Sequence, residues 1–256
     1  MVSEIYPEPP HLTVAVYSSH SEADTFAQLC QTAHDMDCVP RNLVEVAPWS
    51  QDFEFVSDLG AAKETLNVSA ARFEQLAAGL DPVVRTLRAA YSHRKFGTVV
   101  VEYIQRTGPG HHPIGLSLGS ASLGIPDTLW SRSERQSAYA IADWSRSVLQ
   151  AASSRCEALY GAVGVEFSLP VPAQLTSGKE RLVTELFISG RLIDRDKSIE
   201  SKLRQAFTSG AVVNWRDGVF FSGWAPFNDQ RVSISDPGPA VNAAASALGA
   251  VLSKDE

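Results

Sequence analysis

Residues 211–224 have the sequence AVVNWRDGVFFSGW, and this stretch decides the fold class. Two runs of β-branched and aromatic residues flank Arg216-Asp217-Gly218, where the glycine is expected to supply the positive φ of a tight turn. The stretch therefore predicts an antiparallel hairpin. Aromatic residues make both of its faces apolar, so the hairpin is either buried between two layers or presents one face to a ligand or partner.

The rest of the chain alternates between strand-like and helix-like patterns. Apolar alternation predicts strands at residues 12–17, 43–46, 98–104, 162–169 and 181–189. Periodicity near 3.6 predicts helices after Ser19 or Ser21, over 69–91 with a break near Pro82, over 131–160, around 199–207 and over 239–252. Adjacent strand pairs and segregated helices predict an α+β fold with a largely antiparallel sheet and helices packed on it.

Length and composition are those of a globular protein. The 256 residues are 44% hydrophobic and 20% charged, which predicts a single domain over residues 11–254. A Pro-rich, extended tail precedes it at residues 1–10, and a division into two similar α+β halves near 105–113 stays open. Three cysteines without framework spacing indicate a reducing, cytoplasmic setting, with no signal peptide visible.

Charge restricts the partners that the chain is expected to bind. The net charge is -7 and no clear basic patch is present, so the sequence predicts no nucleic-acid binding. No apolar run approaches the ~18 residues of a membrane span, so no membrane association is predicted. A basic protein partner fits this balance better. The oligomeric state is left open by the sequence.

The pentad Gly115-Leu-Ser117-Leu-Gly119 has the G-x-S-x-G pattern of a nucleophile elbow, but no histidine follows it in the chain. His111 and His112 precede it, and either can serve as base because a triad is defined by geometry rather than by chain order. The sequence favours an ordinary strand or loop here. The alternative is a hydrolase or acyl-transferase with Ser117 as nucleophile.

Metal and cofactor sites are not predicted. Cys30, His34 and Cys38 form C-x3-H-x3-C, but on one helix the two cysteines lie about 12 Å apart, so Cys30 is expected to be a core side chain. Walker, dinucleotide-binding, H-E-x-x-H and zinc-deaminase motifs are all missing from the sequence. We therefore expect no cofactor.

Three glutamates, Glu102, Glu166 and Glu185, lie within predicted strands, opposite apolar neighbours. If these strands are adjacent, the glutamates share a sheet face. That face is either simply solvated, or an acidic surface for a basic partner, or a carboxylate cluster that binds a divalent cation or performs acid-base chemistry. Trp215 and Trp224 are the candidate anchors of such a surface. Together these residues predict a non-catalytic binding protein, of the kind that neutralises a bacterial toxin (immunity-type).

Overall fold

A computed structural model describes residues 5–49, 63–104, 111–123, 131–178 and 180–253. Within these ranges the strands are β1 (His11–Ser18), β2 (Cys38–Pro48), β3 (Glu64–Asn67), β4 (Val84–His93), β5 (Gly97–Tyr103), β6 (Ile114–Gly119), β7 (Ala158–Val165), β8 (Glu185–Ser189), β9 (Ala211–Trp215) and β10 (Gly218–Ser222). The helices are α1 (Glu22–Asp35), α2 (Ala70–Ala77), α3 (Arg132–Arg155), α4 (Pro172–Thr176), α5 (Gly190–Arg195), α6 (Ser198–Ala206) and α7 (Gly238–Leu252).

All ten of these strands form one sheet, in the order β3-β2-β4-β5-β6-β1-β7-β8-β10-β9. Every neighbouring pair is antiparallel. The predicted α+β fold with an antiparallel sheet is therefore confirmed. The predicted hairpin is also present, since β9 and β10 pair from Trp215–Gly218 to Ala211–Ser222.

The two faces of the sheet carry separate hydrophobic cores, because successive side chains along a strand point to opposite sides. Val14 of β1 packs with α1, α2 and α3, and we call this side the α3 face. Its neighbour Ala15 packs with α4, α5, α6 and α7 on the other side, which we call the α7 face. The hairpin contributes to both cores, with Phe220 on the α3 face and Phe221 on the α7 face, each fully buried.

The long helix is shorter than the sequence predicts. It ends at Arg155 rather than near Tyr160, and Glu157 adopts the left-handed conformation (φ 47°) that turns the chain into β7. Gly161 lies inside β7. A Cβ atom there would come 2.8 Å from the Ala15 carbonyl oxygen, so the glycine is required by the close approach of β1.

The prediction of a helix over residues 69–91 is wrong in its second half. The helix α2 ends at Ala77, and Gly79 follows it in the left-handed region (φ 67°). Asp81 then accepts hydrogen bonds from the backbone N–H groups of Val83 and Val84, and the chain continues as strand β4. This segment pairs with β2 on one side and with β5 on the other, and that pairing outweighs its local helical pattern.

The N-terminal strand lies in the middle of the sheet, since β1 pairs with both β6 and β7. The preceding segment packs against the sheet: Ile5 is buried beside Leu43, Ala90 and Val100. One continuous sheet thus joins the regions on either side of residues 105–113. The single domain over residues 11–254, with two halves as its alternative, stays a prediction.

Candidate functional site

Ser117 lies in the interior of strand β6 and is 1% exposed. Its hydroxyl donates to Glu102 Oε1 at 2.8 Å and shares a hydrogen bond with Thr13 Oγ1 at 3.0 Å. A nucleophile elbow instead presents serine at a strand-to-helix turn, open to substrate. Ser117 therefore does not lie at a nucleophile elbow, and the pentad belongs to the interior of strand β6 and its end.

The two histidines of the alternative lie elsewhere. His111 is exposed, and His112 contacts the first turn of α1, where Glu22 Oε1 lies 2.8 Å from its backbone nitrogen and 2.5 Å from Nδ1. Burial opposes ionisation of Glu22, yet the hydrogen bonds of His112 and the charges of His112 and Arg85 hold its pKa below the ordinary value. The contact thus fastens the start of β6 to helix α1.

Glu102 is buried on the α7 face of β5, beside Ser117. Burial raises its pKa to about 7, against the opposing effect of the Ser117 hydrogen bond. The Arg88 guanidinium lies 3.4 Å from Glu102 Oε2, but it is closer to Glu45 Oε1, at 2.7 Å. Tyr6 covers this cluster, with its ring 4.6 Å from the Arg88 guanidinium. Glu102 therefore lies beneath the surface.

Glu185 is buried at the start of β8 and points to the α3 face, opposite Glu102. Its Oε1 accepts backbone N–H groups of Gly223 at 3.2 Å and Trp224 at 2.9 Å, and both carboxylate oxygens accept from Thr184 Oγ1 at 2.9 Å. Burial raises its pKa to about 7. This carboxyl group fastens the chain after β10 to strand β8.

The condition under which the three glutamates would share one sheet face is not met. Strands β5 and β8 are separated by β6, β1 and β7, and Glu102 and Glu185 lie on opposite faces. Glu166 follows the end of β7 with φ 47°, so strand alternation does not reach it. Its exposed carboxylate accepts the His11 backbone N–H at 2.6 Å. Of the three, only Glu166 is placed to meet a partner.

The two candidate tryptophans are half-buried and lie at opposite ends of the hairpin. Trp224 follows β10, and its ring packs 5.5 Å from that of Phe227. Trp215 closes the turn end, where its ring stacks on Phe220 at 4.7 Å and 3° and on Phe187 at 5.5 Å and 20°. The five predicted contact residues therefore do not form one patch.

Trp215 forms a wall of an open groove between the hairpin turn and the C-terminal half of α3, with a volume of about 330 Å³. We call it the Trp215 groove; it is lined by Met36, Ser147, Gln150, Ala151, Ser153, Ser154, Phe187, Trp215, Arg216 and Asp217. The small side chains of α3 that line its floor leave space for the groove. The rings of Trp215 and Phe187 form its wall and pack against the hydrophobic core of the α3 face.

Ser153 is among the lining residues of the Trp215 groove, but its hydroxyl oxygen is buried beneath the groove surface. Ser153 is 2% exposed, and its Oγ has no hydrogen-bond partner among the described residues. A buried hydroxyl without a partner is unfavourable by about 1–3 kcal/mol. At the rim, the exposed Arg216 and Asp217 carry opposite charges, with Nε 4.0 Å from Oδ1. The groove thus suits a mainly apolar group.

Sequence reasoning singled out Trp215 but missed the rest of this groove. The available signal was the α3 stripe Ser147, Ala151 and Ser154, a helix face with neither charge nor large apolar side chains. Its small residues predict close packing with a neighbour. Phe187 gave no signal, because only the strand pairing of β8 with β10 brings it beneath Trp215.

Two further predictions concern ligands and membranes. No group of three or more metal-ligating side chains occurs within the described ranges, and Cys30 is a buried core residue of α1 whose pKa burial raises to about 12. None of the helices in the described part of the chain is long and apolar enough to cross a bilayer.

Fold and groove together define an α+β protein with a ten-stranded antiparallel sheet in its described part and a groove lined by aromatic rings. No family model matches the chain, and no curated protein matches it either. Among solved structures, the Pseudomonas aeruginosa T6SS protein PA0821 is similar, with 13% identity, a TM-score of 0.43 and coverage of 94% of this chain and 72% of that one. Similarity at this level assigns no function.

Proposed function

We propose that this chain is a non-catalytic binding protein that takes a side chain of another protein into the Trp215 groove. The observation that carries the proposal is the half-exposed Trp215 ring, which is held from behind by Phe187 and Phe220. Tryptophans in such settings dominate binding energy at protein interfaces, since they bury a large area with little loss of conformational freedom.

The small side chains of α3 in the groove support the same proposal. An apolar group of a partner that enters the groove would contact both Trp215 and Ala151. The net charge of -7 favours a partner with a basic surface through long-range attraction. Glu166, which is exposed, adds to that attraction, whereas Glu102 and Glu185 are buried.

The finer form of the proposal is an immunity-type role, in which the bound partner is a toxic protein. Neutralising a toxin requires only tight, specific surface contact, and no reaction on either side. The products of the neighbouring open reading frames are therefore the partners to test first, by calorimetry with the purified proteins and by growth of cells that express each with and without this chain.

A substitution that fills the groove tests the binding site directly. Ala151→Trp places a large ring on the groove floor without removing any core side chain, and we expect it to weaken partner binding at least about 100-fold. Gln136→Trp is the matched control, since it adds the same ring to an exposed position of α3 outside the groove. Equal affinity of the two variants would show that the groove is not the binding site.

A further inference from the structure

The two terminal strands of the sheet differ in how they are protected. In the described part of the chain these are β3 at one edge and β9 at the other. Strand β3 is four residues long and begins with the exposed Glu64, and short, charged strands discourage further pairing. Strand β9 has the sequence AVVNW, without charge, proline or bulge. An edge strand of this kind presents unpaired N–H and C=O groups, and it is normally covered by another element or paired with another strand.

The turn fixes which backbone groups of β9 face outward. Trp215 and Gly218 flank the two-residue turn and are paired. In an antiparallel ladder, hydrogen-bonded and non-hydrogen-bonded pairs alternate, and the pair that flanks a two-residue turn is hydrogen-bonded. Counting back from it, the N–H and C=O groups of Val212 and Asn214 point away from β10.

We propose that β9 pairs with β9 of a second copy of this chain, antiparallel and around a two-fold axis at Val213. In this register Val212 lies opposite Asn214 of the second copy, and Asn214 opposite its Val212. Both pairs join outward-facing residues, so each exchanges two backbone hydrogen bonds and the interface contains four. A two-fold axis perpendicular to the sheet is the symmetry that pairing of identical edges produces.

The side chains of this register fit each other. Val213 meets its own symmetry mate in a non-hydrogen-bonded pair, where Cα atoms are about 4.5 Å apart and β-branched side chains pack well. Trp215 lies opposite Ala211 of the second copy, so a large side chain meets a small one.

The charges near the edge also permit the pairing. Strand β9 carries none, and Arg216 falls opposite Gly210 of the second copy. Arg204 of α6 contacts the strand, and it is already paired with Glu200 at 2.6 Å and bonded to Asn214 Oδ1 at 2.9 Å. Two copies therefore approach without opposing like charges across the strand pair.

Sedimentation and light scattering of the full chain test the proposal. We expect twice the 27.7 kDa of one chain, with a dissociation constant on the order of micromolar because the interface is small. Val212→Pro removes an outward-facing N–H without touching the β9–β10 ladder, and we expect it to yield monomers. Val212→Thr keeps the N–H and the branched side chain, and is expected to dimerise as the parent does.

A cysteine pair tests the register independently of any folding defect in the proline variant. Val213→Cys places two thiols across the two-fold axis within disulfide reach, and mild oxidation should link the chains at least about tenfold faster than Val212→Cys does. The three native cysteines are buried and serve as internal background.

Three results would overturn the proposal. One is a parent chain that stays monomeric up to about 100 times the expected dissociation constant. The second is a Val212→Pro variant with native circular dichroism that still dimerises. The third is equal cross-linking of the two cysteine variants. A monomer whose β9 amides gain hydrogen-exchange protection only with another protein would assign the edge to that protein instead.

Discussion

Gly218 shows how a single residue shapes the site. The sequence suggests that this glycine supplies a positive φ, but its φ does not lie in that region, so the expected reason is wrong. A Cβ atom at this position would come 2.2 Å from the Ile188 carbonyl oxygen and 2.7 Å from Phe187 Cε2. The glycine is therefore required by space, because the Phe187 ring that supports Trp215 lies against it.

We predict that Gly218→Ala destabilises the fold by about 2–3 kcal/mol, because overpacking against a backbone carbonyl cannot be relieved by a side-chain movement. The variant should also change the near-ultraviolet circular dichroism of the stacked rings. Gly97→Ala is the matched control: Gly97 has φ +75° and nothing within 4 Å of the added carbon, so only the backbone penalty of about 1 kcal/mol applies. A larger loss for Gly97→Ala in urea unfolding would contradict this account.

Among secondary-structure elements, those with their own start and stop signals were predictable. Helix α1 begins after Ser21, whose hydroxyl accepts the Asp24 N–H as a capping residue should. Strand β4 was not predictable, because the apolar residues of 84–91 fit a helix as well as a strand. Its structure is imposed by pairing with β2, which comes from a distant part of the chain, and with β5, which follows β4 after a short turn.

The turn between α2 and β4 depends on Asp81, whose pKa is held below the ordinary value by hydrogen bonds from Val84, Arg72 and Val83. We predict that Asp81→Ala lowers the free energy of unfolding by about 1–2 kcal/mol, because two backbone N–H groups and Arg72 lose their acceptor. Asp81→Asn keeps an acceptor oxygen and should lose clearly less. Equal losses in the two variants would mean that charge alone matters here.

For the molecule as a whole, the sequence indicated the fold class but not the site. The hairpin, β1 and β5 carry their own strand patterns, and antiparallel pairing follows from the hairpin. The Trp215 groove could not be predicted from the sequence, because Phe187 and Met36 come from distant segments that only the sheet order brings together. The positions of Glu102 and Glu185 on opposite faces depend on that same order.

These two carboxyl groups make stability depend on pH in a direction opposite to ordinary acid denaturation. Burial raises the pKa of Glu102 and of Glu185 to about 7, so the folded chain binds protons that the unfolded chain has released. Their contribution to stability is complete below about pH 4.5 and is lost as pH rises through 7. Each shift corresponds to a loss on the order of 3 kcal/mol.

Glu185→Gln tests this pH dependence. Glu185 is the simpler group to test, because the cation Arg88 lies near Glu102. The amide oxygen can still accept the N–H groups of Gly223 and Trp224, but the side chain no longer titrates. We predict that the parent loses stability relative to Glu185→Gln between pH 5 and pH 8, measured by urea unfolding at each pH. A constant difference across that range would mean that Glu185 ionises near its ordinary pKa despite its burial, so that its five hydrogen bonds outweigh desolvation.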